Sequence, residues 1–437
     1  MPVTFSGPLP KAADVVVIGG GVAGVMTAYY LACAGQKVVL CEKGRIAGEQ
    51  SSRNWGWVRQ QGRDPAELPI MIESMRLWEG FSQQLGDALG FRRVGVMFLA
   101  RNEKSMADYE AWLTHARAHG LDTRLLGRAA LQAEIPHHAD WVGGLYTASD
   151  ARAEPWVAVP LLARLAEAAG VVIVENCAVR RLDVAAGRVS GVVTEQGLVA
   201  ADRVVLAGGA WSSLFARAHG LTIPQLSVRA TVAQTQPAPE VWRGNAAEPR
   251  FAFRRRADGG YTLAPGTFHE FMIGPDALRH FKAYIPLLRR DISSLRLLPK
   301  APAGYPDGWG TPRQWSADQI TPFERIRVLN PTPNRAAINR LQDHFAAAFP
   351  AAGRPRIARI WAGMVDTMPD TVPVLDHAPL PGLTIATGLS DHGFGIGPGI
   401  GRVVADLVMG RAPGHDLTRF RFGRFTDGSR IDLGPTL

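Results

Sequence analysis

One stretch near the N-terminus constrains the fold more than any other. Asp14-Val-Val-Val-Ile18 is a short β-branched run that ends in Gly19-x-Gly21-x-x-Gly24. Val22 to Ala34 follows with helical spacing, and Lys37-Val-Val-Leu-Cys41 reads as a second strand. Strand, glycine turn, helix and strand together open a βαβ unit. Gly19 allows the tight turn, Gly21 lets a pyrophosphate approach the backbone, and Gly24 lets helix and strand pack closely. Val22 and Ala23 open the helix, whose unpaired N–H groups and partial positive charge suit phosphates. Ala28, Leu31, Gly35 and Val38 fall at the packing positions of the unit. Glu42 ends the second strand, 18 residues past Gly24, where a carboxylate accepts from ribose hydroxyls and disfavours a 2′-phosphate. FAD and NAD remain as ligands.

Two more glycine segments favour FAD. Val204-Val-Leu-Ala-Gly-Gly-Ala-Trp-Ser212 is an apolar strand ending in paired glycines. Ala386-Thr-Gly-Leu-Ser-Asp-His-Gly-Phe-Gly-Ile-Gly-Pro-Gly-Ile-Gly401 reads as a strand, a glycine loop and the start of a helix over 401–409. That helix N-terminus would face developing negative charge, as on a reduced isoalloxazine ring.

Between these landmarks, residues 68–90 and 104–119 read as amphipathic helices, and 156–170 as a helix leading into Val171-Val-Ile-Val174. Residues 178–206 alternate as a β-meander. The region 225–350 is rich in Arg, Pro and Trp, with a hairpin signal at Asp258-Gly-Gly260. The ends resemble one kind of domain and the middle another. The expected fold is α/β: a discontinuous Rossmann-like FAD-binding domain (10–90, 153–224, 355–437) plus an α+β substrate domain with a mixed or antiparallel sheet (91–152, 225–354).

Composition narrows the function. At 437 residues, 46% hydrophobic and 20% charged, the chain carries too much apolar mass for disorder, and its 47 glycines show no collagen period. The +9 balance would suit nucleic acid only with a basic stripe and interleaved aromatics. The cations are scattered and, apart from six lysines, are arginines, so no nucleic acid is expected. Cys33, Cys41 and Cys177 fit neither a disulfide framework nor a metal or redox pair, and no metal is expected. With no evident signal peptide or apolar run long enough to span a bilayer, the chain is expected to be cytoplasmic.

The quoted segments resemble the flavin-dependent amine and amino-acid oxidoreductases of the D-amino-acid oxidase, glycine oxidase and sarcosine oxidase type. The resemblance rests on Gly19 to Glu42, Ser51-Ser-Arg-Asn54, Ala207-Gly-Gly-Ala-Trp-Ser212, Trp361-Ala-Gly363 with Met368-Pro-Asp370, and Gly388 to Gly401. It implies an FAD domain roofed by a substrate domain. The AMP pyrophosphate would lie on Gly19, Gly21 and Gly24, the ribose on Glu42, and the adenosine beside Lys43. Ser51, Ser52, Arg53 and Asn54 would run toward the flavin. Val179 would meet the adenine, Gly208, Gly209 and Trp211 would border the cofactor, and Asp391, His392, Gly393, Phe394, Gly395, Ile396 and Gly397 would lie at the pyrimidine edge.

Three departures follow. Relatives that bind flavin covalently use a cysteine near the position of Gly363, so FAD is expected to be non-covalent. Gly395 stands where sarcosine-oxidase-like members hold a lysine that helps bind the substrate carboxylate. No lysine falls in a segment matching the one that relatives place over the flavin for oxygen, so the acceptor stays open between oxygen, a quinone and a redox partner protein.

The expected reaction is oxidation of the C–N bond of a small-molecule amine or amino acid by hydride transfer to FAD. This chemistry demands no protein acid or base, because orienting the C–H bond suffices. The pocket candidates are Arg59 as carboxylate clamp, Trp55 and Trp57 as walls, His392 and, more weakly, His269. Arg254-Arg-Arg256 reads as an exposed hairpin end. The alternative is an NAD(P)H-using FAD monooxygenase, which shares the first motif but pairs Asp and Gly in a second one; here Asp391 and Gly393 are not adjacent.

Overall fold

The computed structural model describes residues 4–136, 140–435 and 437. Its first layer grows from β1 (Val15–Ile18), α1 (Val22–Cys33) and β2 (Val38–Cys41), the unit the glycine spacing predicts. β3 (Val172–Val174) and β4 (Val204–Leu206) flank it. β5 (Leu226–Thr235) and β6 (Ile357–Thr367) belong elsewhere, while β7 (Val374–His377) and β8 (Leu383–Thr387) close this six-stranded sheet in the order β7-β8-β4-β1-β2-β3. All pairs are parallel except β7 with β8. Strands covered on both faces read as unbroken apolar runs, and β1 shows why. Val15 and Val17 join one core with α1, while Val16 joins another with Val179, Leu182 and Val192 of the meander. The meander forms its own three-stranded antiparallel sheet.

The second layer is a mixed ten-stranded sheet. Its spine is the antiparallel pair β5–β6, in register from Leu226↔Thr367 to Gln234↔Arg359, with a bulge before Thr235↔Ile357. The Asp258-Gly-Gly260 turn joins Phe251–Arg255 to Tyr261–Ala264 as the hairpin signal predicts. Because β6 hydrogen-bonds here, residues 357–367 sit with this sheet, which corrects the expected cofactor-domain segment starting at 355. Only beyond Thr367 does the chain return to the first layer.

The helices match their periodicity: α2 (Leu68–Leu85) and the helix Glu103–Ala118 fall where expected, as does α3 (Pro155–Ala168). The largest departure is C-terminal. α4 (Gly393–Val408) begins eight residues before the 401 start that the sequence suggests, so most of the glycine "loop" is helix. Glycine disfavours helix intrinsically, but here it permits close approach. A Cβ at Gly397 would overlap Val22, and one at Gly401 would overlap Met26, both on α1; one at Gly399 would stand 2.6 Å from the Ile70 carbonyl of α2.

Two buried ion pairs join segments far apart in the chain, and the first departs from expectation. Arg254 is buried, not an exposed hairpin end; it makes a bidentate pair with Glu154 at 2.9 and 3.0 Å. Arg424 clamps Asp370 at 2.8 and 3.0 Å and also donates to the Val372 carbonyl, fastening the C-terminal segment onto the β6–β7 turn. Removing one partner of such a pair strands a buried charge. Arg424→Met should therefore lower the unfolding free energy by about 3–5 kcal/mol, read from the urea midpoint at constant m-value.

Candidate functional site

A long cleft of about 1390 Å³, counted to its open mouth, runs across the C-terminal ends of β1, β2, β4 and β8 and under β5 and β6. Ligands of open parallel sheets bind at this edge.

α1 opens onto the cleft with Gly21 at its N-cap and no side-chain cap. A Cβ at Gly21 would meet only the Ser51 hydroxyl, at 3.2 Å, so backbone is bare toward the ligand side. Gly19 has φ +110°, a left-handed value that suits glycine. Gly24 is not at the wall: a Cβ there would overlap the Gly19 carbonyl, so its role is packing. Gly19, Gly21, Val22 and Ala23 all line the cleft.

Beside them, the Glu42 carboxylate is held by two amides, Gly20 N to Oε2 and Gly44 N to Oε1, both at 2.7 Å. Burial pushes this carboxyl above its ordinary range, against those amides and Lys43. Its remaining lone pairs suit ribose hydroxyls. Val179 also lines this end. Lys43 reaches the wall, but its ammonium is committed to Glu49 at 2.7 Å and to the carbonyls of Ile326 and Arg327, over the Trp211 ring.

The middle is built by residues 49–54. The Ser51 hydroxyl accepts from Val22 N at 2.9 Å, and Asn54 donates to the carbonyls of Gln50 and Ser51. Arg53 is buried, donates to the Leu329 carbonyl, and lies with its stem over Gly363. Ser51, Arg53, Asn54, Gly208, Gly209, Trp211 and Gly363 line the cleft, whereas Ser52 faces away, its hydroxyl on the Glu49 carbonyl. The opposite wall is small and apolar: Ala230 and Val232 of β5, Gly363 and Val365 of β6, with Trp55 beside them.

At the far end Asp391, Gly393 and Phe394 line the cleft, and α4 starts there, again without a side-chain cap. Gly395, Ile396 and Gly397 do not line it, because the helix carries them inward, where Trp78 and Ser74 of α2 both donate to the Gly395 carbonyl.

None of the four catalytic candidates lines the cleft. His392 turns its ring to Glu67, Nδ1 to Oε2 at 3.2 Å, while Arg63 donates to its carbonyl at 3.0 Å. Burial lowers the imidazole pKa, and although burial alone would raise Glu67, His392, Arg63 and Arg59 together hold it below the usual carboxylate range. Arg59 stacks on Phe98 and donates to the Gln61 carbonyl; burial, then Arg63, pull its pKa down to about 10. Trp57 is buried against Phe98. His269 begins the strand His269–Met272 in the ten-stranded sheet, its Nδ1 against the Thr267 carbonyl. Arg59, Trp57 and His392 stand beside glycine or tryptophan motifs and His269 lies in the middle region, and neither placement says which way a side chain turns.

Sequence reasoning missed Glu49, Gln50 and Asp366. Glu49 receives Lys43, the Trp211 indole N–H at 3.1 Å and Leu329 N at 2.9 Å. Asp366, on β6, is 1% exposed, and burial pushes its pKa up to about 6. A carboxylate inside the apolar run of β6 was the available signal.

The residues present fit FAD. Two uncapped helix N-termini open on one cleft, one for a diphosphate beside a ribose-type carboxylate, the other beyond a small apolar wall. Among the described residues no helix is long and apolar enough to cross a membrane, and no cluster of metal-ligating side chains occurs.

Known proteins agree. The family described as FAD dependent oxidoreductase (DAO) matches residues 14–407. Sarcosine oxidase subunit beta of Rhizobium meliloti is 27% identical over 427 residues, spanning 96% of this chain and 90% of that one. The L-amino acid deaminase from Proteus myxofaciens, solved with anthranilate, superposes with a TM-score of 0.91 at 31% identity, covering 97% of this chain and 96% of that one. Glycine oxidase from Geobacillus kaustophilus shares the fold at a TM-score of 0.75 and 20% identity, covering 95% and 99%. The chain belongs to the DAO family of FAD-dependent oxidoreductases.

Proposed function

We propose that this chain binds FAD non-covalently along the cleft and oxidises the C–N bond of an amino acid or N-substituted amino acid to an imine. The carrying observation is the pairing of two uncapped helix N-termini, α1 and α4, at opposite ends of one cleft under the β5–β6 wall. Relatives named for sarcosine and for L-amino acids support a substrate whose nitrogen and carboxylate share one carbon. In this reading Gly19, Gly21, Val22 and Ala23 carry the diphosphate and Glu42 the ribose, while the first turn of α4 meets the flavin's pyrimidine edge. Ala230, Val232, Gly363, Val365 and Trp55 shape the substrate side. The layers then divide as cofactor and substrate domains.

When bound, FAD supplies the hydride acceptor. The chain's share is positional. The small wall on β5 and β6 holds the substrate carbon within reach and excludes water, and the α4 amides favour negative charge at the far end of the cleft. Among the described residues the one cysteine at the cleft, Cys41, precedes Glu42 at the nucleotide end, away from Gly363, which supports non-covalent attachment. Three unpaired thiols suit a reducing, cytoplasmic setting.

The decisive experiment mixes the yellow protein anaerobically with panels of D- and L-amino acids and N-methyl amino acids. Flavin bleaching by one of these without NAD(P)H is expected. Bleaching only by NADPH would overturn the proposal in favour of a monooxygenase. Admitting air and measuring peroxide, against added quinone, identifies the acceptor.

A contrast between two glycines tests the cofactor site. Gly21→Val meets little but Ser51 and should fold normally while weakening FAD binding by about 100-fold, or ~2.8 kcal/mol. Gly24→Val overlaps the Gly19 backbone and should lower stability itself, seen as a fall in melting temperature of the FAD-free protein.

A further inference from the structure

The loop between β8 and α4 adopts an unusual conformation. Gly388, Ser390 and Asp391 all have positive φ, at 74°, 46° and 69°, and two of these are not glycine. Left-handed non-glycine residues persist where surrounding structure over-determines them. Here the loop is gripped from two sides. On one side Glu67 and Arg63 hold His392. On the other, reaching across from the ten-stranded sheet, lies Asp366.

Asp366 Oδ2 accepts from Gly388 N at 3.0 Å and from Gln225 Nε2 at 3.1 Å. The same Gln225 nitrogen donates to the Gly209 carbonyl at 2.8 Å, and Thr387 Oγ1 donates to that carbonyl at 3.2 Å. The backbone of Asp366 meets Gln50 Oε1 at 3.4 Å. Two residues on, Met368 N donates to Ser390 Oγ at 3.1 Å. One carboxyl thus joins β6 to the ends of β4 and β8 at the wall of the cleft, directly before the turn that launches α4.

We propose that Asp366 is a positioning residue for the cofactor: its buried carboxylate holds the Gly388–Asp391 loop in its left-handed form and so sets where the first turn of α4 presents its amides to the flavin end of the cleft. The inference rests on the reading that this cleft binds FAD. Among the described residues no cation pairs with Asp366. The groups facing it are the amides of Gly388 and Leu389, the side chains of Gln50 and Gln225, and Tyr284, whose hydroxyl contacts the Thr367 carbonyl and which also feels Asp370, itself paired with Arg424. Burial has raised this carboxyl to about 6, so between pH 7.5 and 5 it passes from an acceptor of two donors to a protonated acid that has lost part of that capacity. The grip on the loop weakens as pH falls.

Asp366→Asn is the test. It keeps the shape but leaves one acceptor oxygen where the Gly388 and Leu389 amides and the Gln225 side chain all donate, so the new N–H₂ must face a donor whichever way it turns. A carboxyl whose pKa is raised on folding favours its neutral form, so its ionisation costs stability above pH 6 and the neutral amide removes that cost; the variant should fold at pH 7.5. Three quantities are read on parent and variant: the FAD dissociation constant from pH 5 to 8, amide hydrogen exchange over 388–394 in FAD-free protein, and melting temperature. In the parent, FAD binding is expected to weaken about tenfold from pH 7.5 to 5, the scale of one lost charge-assisted hydrogen bond. The variant should already be about tenfold weaker at pH 7.5, lack that part of the pH dependence, and exchange faster at 388–394 while other segments keep their protection. Asp366→Ala should match it in all three readouts. A variant that binds FAD within about twofold of the parent at pH 7.5, keeps the parent's pH slope or leaves 388–394 exchange unchanged overturns the proposal. Failure of the parent to take up FAD would overturn the cleft reading and this inference with it, whereas FAD binding by the parent with no response in the variants overturns this inference alone.

Discussion

The architecture depends on how closely α4 lies against α1. Gly397 and Gly401 leave room for Val22 and Met26, so the two helices approach without side chains between them. A helix with glycine at five alternate positions from 393 to 401 would not persist alone. Its stability is tertiary, drawn from burial against α1 and α2 and from the bonds of Ser74 and Trp78 to the Gly395 carbonyl. That packing places two helix N-termini, from opposite ends of the chain, on the same sheet edge. Each alone is an ordinary anion-friendly terminus. Together they define a cleft with two electropositive ends, and the β5–β6 pair supplies its apolar roof.

Buried charge organises the surroundings of that cleft. Glu42 and Asp366 rest on backbone amides, Glu67 on His392 and Arg63, and Glu49 on Lys43, Trp211 and Leu329. These carboxylates mostly serve the frame. They fix loops whose backbone atoms, rather than side chains, face the cofactor space.

The parts of the fold open to sequence reasoning were those in which a local rule and the tertiary outcome coincide. Gly19, Gly21 and Gly24 lie in one strand–turn–helix segment, so the βαβ unit, its cleft edge and Glu42 could be read directly. The glycines of α4 follow the opposite logic: their local preference points to a loop, and only the partner helix reveals a packing stripe. His392 and Arg59 were misjudged because position beside a motif does not determine which way a side chain turns, and here buried partners turned both away. Arg254 looked like a hairpin-end cation because Glu154, its partner, is 100 residues distant. Asp366 hid within an apolar strand, where its importance comes from Gly388 and Gln225, neither adjacent in the chain.

The path of β6 has an evolutionary consequence. This one strand contributes Gly363 and Val365 to the wall over the cleft, then Asp366 to the loop that launches α4, and then leads through Asp370 back into the first sheet. Changes that reshape the wall along β6 are therefore transmitted to the cofactor's seat within one or two residues. On β5, Ala230 and Val232 pair with Gly363 and Trp361, and their neighbours Arg229 and Thr231 bond to Thr332 and Asn334; among the described residues none of these bonds reaches the loop that launches α4. Divergence in substrate preference has its freer route through β5, and a designer who wants a different side chain accepted should begin there.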